Sequence, residues 1–491
     1  MFGDYQFTHI YYCTLAFPRT REDPRFFSQL STLSMSSRKI TTALSSPVAA
    51  SAAAVVGRFM LLGTGALTGI VIPLTMPVES VGTFFLTQSV IAALATLGQL
   101  GLNITAPACI STAQGHRDGE RMKQVIRRTL VLGALSTMVV AVGFNILMHF
   151  IAQYEGSVLL DVMHKLAPLV SISMVLAAMT TILSEQHRAI GHFVQASFLV
   201  AGASVASAAT VVVAWRTDYS LGLDSLVLAG LVGAGATTLL GAYSLRRWYR
   251  TQVEHKAARD ISYRELLTQT YPNLSTTIIL FIMSQADLWI IAYYADAAGL
   301  AIYGLASRLA ALVLIPLAVI NTVVAPSIGR IWIRKKVRYL QRVLGVGAGA
   351  ATFLGLAGYL LFIASGKFIL THVWSDEYSD AYYIFAILGL SHVVQTYAGT
   401  AGFVLMMLQK QHIMMRISVG SGVAMIAAGL VTMGQYGIIG LAVVYSAGGI
   451  IQSLIQIYFV KRIFSLRTTA NHSYLSRFIR TYYRKKVHHG S

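Results

Sequence analysis

Apolar residues occur in runs of about twenty or more along almost the whole chain, separated by short polar stretches. Runs of spanning length fall at 50–75, 81–112, 127–151, 163–184, 192–214 and 223–244. After a polar segment six more follow, at 266–293, 299–327, 343–365, 379–408, 413–433 and 437–460. A helix crosses the hydrocarbon layer in about 20 residues, whereas a barrel strand shows about ten residues of alternating pattern, so these runs predict helices. The expected fold is an all-α membrane protein with twelve transmembrane helices.

Composition agrees with that pattern: the 491 residues are 55% hydrophobic and 12% charged, with a mean hydropathy of +0.63. An ordinary soluble domain and a disordered chain are both excluded. The net charge of +19 could signal nucleic acid, but its distribution decides otherwise. With the N-terminus in the cytoplasm, the loops after even-numbered spans hold Arg117 to Arg128, Arg188, Arg246 to Arg264, Arg330 to Arg342, Lys410 and Arg416. Only Arg216 and Lys367 fall on the other side. This is a positive-inside signature with both ends cytoplasmic, and no nucleic acid is needed to explain it.

Three basic residues fall within spans: Arg58, Lys165 and Arg308. Lys165 lies near a span end and can snorkel to the interface. Arg58 and Arg308 each lie about nine or ten residues from the nearer helix end, which at about 1.5 Å per residue is close to the bilayer midplane. An arginine there costs about 2.5 to 3.5 kcal/mol on insertion scales, so both ask for a functional reason.

The segment "RRWYRTQVEHKAARDISYRE" divides the chain. The expected organisation is a cytoplasmic tail 1–46, a six-helix bundle 47–245, a basic linker 246–265, a second six-helix bundle 266–462 and a basic tail 463–491. Residues 1–34 are expected to be disordered or to come from an upstream start, since Met35 opens "MSSRKITTALSS". The two sets of spans resemble each other: "NITAPACIST" matches "NTVVAPSIGR", "VGTFFLT" matches "LAIYGLA", and Gln186-His187 matches Gln411-His412, in the same order. Transporters built from two parallel repeats place the substrate between the halves, here in an expected central cavity, and rock one half against the other.

Two segments resemble a known family. "PVESVGTFFLTQSVIAALATLGQLGLN" and "YPNLSTTIILFIMSQADLWIIAYYADAAGLAIYGLASRLAALVLIPLAVINTVVAPSIGR" are similar to the polysaccharide transporter branch, the Wzx-type oligosaccharide flippases, of the multidrug/oligosaccharidyl-lipid/polysaccharide (MOP) exporter superfamily. The resemblance covers about residues 40–462. It implies flipping of an undecaprenyl-pyrophosphate-linked oligosaccharide across the bacterial inner membrane for cell-surface or secreted polysaccharide, with a polymerase and glycosyltransferases as functional associates. The chain departs from the related lipid II flippases, which carry fourteen spans and an arginine-rich first helix.

Polar stripes within the spans give candidate site residues. Arg58 is flanked at helical spacing by Ser51, Ala54, Gly65 and Thr68, and Arg308 by Ala301, Gly304 and Ala311. Span two carries Gln88, Gln99 and Asn103, and span seven Asn273, Thr276, Ser284 and Asp287. Close helix packing and interhelical hydrogen bonding are the competing structural explanations, and Asp287 could pair with an arginine to hold the halves together. The predicted substrate-binding set is Arg58, Arg308, Gln88, Gln99, Asn103, Ser284 and Asp287. A guanidinium never deprotonates and its planar fork matches phosphate oxygens, which suits a lipid pyrophosphate. Asp287 is the main candidate for ion coupling. No catalytic constellation, metal spacing or cofactor-binding loop stands out, so neither an enzyme nor a cofactor is expected. The alternatives are a multidrug cation exporter of the same superfamily and a membrane glycan-assembly enzyme. The tail "SRFIRTYYRKKVHH" is expected to lie on anionic headgroups.

Overall fold

A computed structural model describes residues 69–115, 118–151, 158–217, 222–251 and 261–470. The tail 1–46, Arg58 and residues 47–68 lie outside the described residues, as do 252–260 of the basic linker and 471–491 of the C-terminal tail, including "SRFIRTYYRKKVHH". The described chain is helical. The first half contains α1 (Val78–Gly98), α2 (Leu102–Gly115), α3 (Gly119–Ile151), α4 (Val158–Ala189), α5 (Phe193–Arg216) and α6 (Leu223–Thr251). The second contains α7 (Tyr263–Tyr294), α8 (Ala297–Ala311), α9 (Ile315–Ile333), α10 (Val337–Ile369), α11 (Ala381–Ala398), α12 (Ala401–Met407) and α13 (Gln411–Phe464).

Nine of the described helices are long and apolar enough to cross a membrane, or ten if Asp376–Ala398 and Ala401–Met407, bent by 49°, form one broken span. The longest of them, α13, spans 54 residues, or about 80 Å of helix, well over one bilayer thickness. Its backbone reverses at Gly437, where φ is 63° and ψ is −155°. The arms then pack antiparallel: Gln452 Nε2 donates to Ser418 Oγ at 3.3 Å, and a Cβ on Gly429 would stand 2.8 Å from Leu441. The hairpin thus supplies the two spans expected at 413–433 and 437–460, joined without the predicted polar gap.

The helices show the inverted pattern that lipid imposes. On α3, Leu135, Met138, Val139, Val142, Ile146 and Phe150 form an exposed stripe, while Thr129, Gly133, Thr137 and Ala141 face inward. Small and hydroxylated residues let helices approach, and their hydroxyls bond their own helix, as Thr137 Oγ1 does to Gly133 O at 2.7 Å. Local sequence sets the helix starts: Ser262 Oγ accepts from Glu265 N at 3.1 Å in a Ser-x-x-Glu cap, and Asp296 Oδ1 accepts from Gly299 N at 2.8 Å.

Span two is broken, which corrects the expectation of one continuous polar face from Gln88 to Asn103. Leu100 (φ 50°) and Gly101 (φ 77°) are consecutively left-handed and separate α1 from α2. A Cβ on Gly101 would stand 2.7 Å from Leu274 N, so the glycine admits the α7 backbone. Helices α2 to α6 pack among themselves, as do α7 to α13, and α1 packs on both groups. Along the seam α1 runs against α8 and α7, and α2 against α7. Trp374 Nε1 donates to Ile70 O (2.8 Å), Trp289 Nε1 to Ser89 Oγ (3.1 Å) and Asn273 Nδ2 to Thr105 Oγ1 (2.9 Å). The main apolar cluster lies around α8, with Phe85, Leu300, Tyr303, Leu305, Phe385 and Leu441.

Candidate functional site

Arg308 stands in the last turn of α8. Its Nη1 donates to Gly304 O at 3.0 Å, and the guanidinium lies 3.6 Å from the centre of the Phe85 ring on α1. This cation–π contact accommodates the charge in an apolar seam. Two glycines make room for it: a Cβ on Gly304 would collide with Phe85, and one on Gly69 with Arg308 Cδ and Nε. An arginine of the second half thereby reaches the first half.

There it lines a cavity of about 340 Å³. Helix α1 contributes Gln88, α4 contributes Ser173, Thr180 and Thr181, and α5 contributes Ser204 and Ser207; Ala, Gly, Leu, Ile, Val and Phe complete the walls with α6. Among the described residues no aspartate or glutamate lines it. Its walls come mainly from α1 and α4 to α6, with Arg308 the contribution of the second half. Beside it on α1, the missing Cβ of Gly82 lets that helix meet the Ala297 carbonyl at the start of α8.

The hydroxyl wall was not picked out from the sequence. Its signal is the recurrence of Ser and Thr at helical spacing in "SISMVLAAMTT" and "AGASVASAAT". Some of these hydroxyls are satisfied internally: Thr180 Oγ1 meets Leu176 O at 2.6 Å and Thr238 Oγ1 at 2.7 Å. Ser173 Oγ is buried with no hydrogen-bond partner among the described residues, so a polar ligand group would find it unoccupied.

The other predicted residues are spread more widely. Gln88 lines the cavity with Arg308. Gln99 is buried at the C-cap of α1, and Asn103 lies beyond the break with its Oδ1 buried and without a hydrogen-bond partner among the described residues. Asp287 accepts from Tyr303 Oη at 2.8 Å and from Leu288 N at 2.9 Å. Its field reaches Arg308, yet among the described residues no ion pair joins Arg308 to a carboxylate. Ser284 is exposed and bonds its own helix at Phe281 O, 2.8 Å away. Among the described residues no group of three His, Cys, Asp or Glu is placed to hold a metal ion. The site can thus offer one fixed cation, an amide and several hydroxyls to a ligand.

No protein-family model and no curated protein sequence matches the chain. Solved structures do. An inward-facing multidrug resistance MATE family transporter of the MOP superfamily aligns with a TM-score of 0.65 at 16% identity, covering 83% of this chain and 94% of that one. An outward-facing MATE family transporter of the superfamily gives 0.62 at 16%, covering 88% and 99%. The lipid II flippase MurJ in an inward closed conformation gives 0.66 at 15%, covering 84% and 87%. At such identities the likeness is one of fold: the chain has the fold of MOP-superfamily transporters.

Proposed function

We propose that this chain is a transporter of the MOP exporter superfamily, of the Wzx-type branch, that flips an undecaprenyl-pyrophosphate-linked oligosaccharide across the bacterial inner membrane by alternating access. In this reading twelve helices form two six-helix bundles, 47–245 and 266–462, with both termini cytoplasmic. The product feeds surface or secreted polysaccharide, alongside a polymerase and glycosyltransferases. The observation that carries it is Arg308, a permanent cation that has no carboxylate ion-pair partner among the described residues and lines a hydroxyl-bearing cavity. A guanidinium fork and hydroxyl donors are the complement of a pyrophosphate and its neighbouring sugar.

Because Arg308 belongs to α8 and the rest of the wall to the first half, rocking the halves changes the substrate contacts between states, as a transport cycle requires. Ligand sites run from about 300 to 1,000 Å³, and 340 Å³ lies at the low end. The cavity takes the charged headgroup and leaves the distal glycan outside. Outward movement of an anion runs with an inside-negative potential, worth about 2.3 kcal/mol per charge per 100 mV. Arg58 is proposed as a second phosphate contact and Asp287 as the acid for ion coupling.

The fold likeness to multidrug transporters supports a second reading, a cation exporter. A cation would need an acid on the wall, and the described wall has none. Deleting the chain from its native cell and separating lipid-linked sugars by leaflet tests both. Accumulation in the cytoplasmic leaflet, reversed by wild type and not by Arg308→Gln, is the expected result. An unchanged lipid-linked pool together with new sensitivity to cationic drugs would replace the flippase with the exporter.

A further inference from the structure

The geometry points to an anionic-phospholipid docking surface on the basic end of the second half, formed by the α9–α10 turn, the α12–α13 junction and the end of α13. It goes beyond the transport site and does not depend on what the chain carries.

The charge of that end is one-sided. No aspartate or glutamate follows Asp380 in the sequence, and between residues 297 and 380 the only acids are Asp376, Glu377 and Asp380. Those three lie between α10 and α11, at the opposite end of the half. Glu265, at the start of α7, is an acid of the same end, but among the described residues none of Arg334, Lys335, Lys336, Arg338, Lys461 and Arg467 is in an ion pair, and all six are exposed. They converge because Ile328, Leu340, Val404, Ile417, Val460 and Leu466 form one apolar cluster beneath them. The first half is different: its basic end carries Glu120 beside Lys123 at 3.8 Å and Glu185 beside Arg188 at 2.6 Å. A general preference of cations for the cytoplasmic side explains the charge of both ends, but not the difference in ion pairing between them.

Two details favour a lipid headgroup over a soluble acidic protein. Ile333 beside Arg334 and Ile463 beside Arg462 are exposed, and Tyr339 and Tyr458 are more than half exposed, so each cation group adjoins apolar and aromatic surface. Arg462 Nη1 donates to Tyr458 Oη at 3.0 Å. Cations, aromatic rings and aliphatic side chains in that order mark the headgroup-to-tail boundary. The second detail is Lys335, which is left-handed at φ 54° in a turn closed by Lys335 N to Trp332 O (2.9 Å) and Lys336 N to Ile331 O (3.3 Å). Glycine is the favoured residue in such a helix-terminating position. The chain keeps a lysine there despite the backbone strain.

The full-length protein, purified in neutral detergent, is titrated with phosphatidylglycerol, phosphatidylcholine and inorganic phosphate, with binding and melting temperature as readouts. Wild type is expected to bind phosphatidylglycerol preferentially and melt higher with it. The variant Arg334→Gln, Lys335→Gly, Lys336→Gln, Arg338→Gln should lose about a hundredfold of that affinity, given the attraction of each surface cation to anionic lipid. The matched set Arg188→Gln, Arg246→Gln, Arg247→Gln, Arg250→Gln in the first half should lose less than about threefold. Lys335→Gly alone separates charge from folding: it should melt no lower than wild type in phosphatidylcholine and respond less to phosphatidylglycerol. Equal losses in the two fourfold variants would overturn the proposal. So would equal binding of the two lipids, full competition by inorganic phosphate, or copurification of an acidic protein by a chain indifferent to phosphatidylglycerol.

Discussion

Arg308→Ala is expected to reduce transport of the lipid-linked anion about a hundredfold at limiting substrate while leaving the folded protein nearly as stable as wild type. Hydrogen bonds to a charged group contribute about 1.5 to 3 kcal/mol each, and a fork that meets phosphate with two of them, partly offset by hydration, contributes about 3 kcal/mol. The stability effect is small because the lost protein contacts are a bond to its own helix at Gly304 and the stack on Phe85, and because a buried cation also carries a desolvation penalty. Arg308→Lys keeps the charge and loses the fork, so it should retain about a tenth of the activity. Leaflet-resolved assay of the lipid-linked substrate, paired with a melting curve for each variant, checks both parts. A fully active Arg308→Ala protein would remove the cation from the site.

Gly82→Val is expected to have the opposite profile, a loss of stability that takes activity with it. A Cβ on Gly82 would overlap the Ala297 carbonyl, and a backbone atom held by the first turn of α8 cannot turn aside as a side chain can. Overpacking of this kind costs about 3 kcal/mol and would push α1 from α8 along the seam. A large fall in melting temperature is the readout. Gly143→Val provides the comparison, since nothing lies within 4 Å of a Cβ there and α3 exposes that position. Its expected change is within about 0.5 kcal/mol. If both substitutions destabilise equally, the α1–α8 contact is not the close one described.

The helices themselves were legible from hydropathy because lipid leaves the backbone no other way to satisfy its hydrogen bonds. Spans over α3 and α5 to α7 needed only their ends extended, as at Gly119 and Thr251. The α1–α2 break was not legible: Leu100 is an ordinary helix former, held left-handed where α7 presses in beside Gly101. Arg308 and Gln88 were found because a charge or an amide in an apolar run stands out against its neighbours. Ser173, Thr180 and Ser207 did not, because hydroxyls that bond their own helix are common in membrane helices and leave hydropathy almost unchanged. The α1–α8 contact was hidden for a related reason: glycine and alanine spacing signals close packing but not the partner, and Gly82 pairs with Ala297 across the seam.

Binding of undecaprenyl pyrophosphate to the purified full-length protein, measured beside an organic cation for wild type and Arg308→Ala, tests the central claim most directly. Wild type should bind the pyrophosphate lipid and not the cation, with the lipid affinity falling about a hundredfold in Arg308→Ala. Equal lipid affinity in the two proteins, or cation binding that strengthens when the guanidinium is removed, would contradict it.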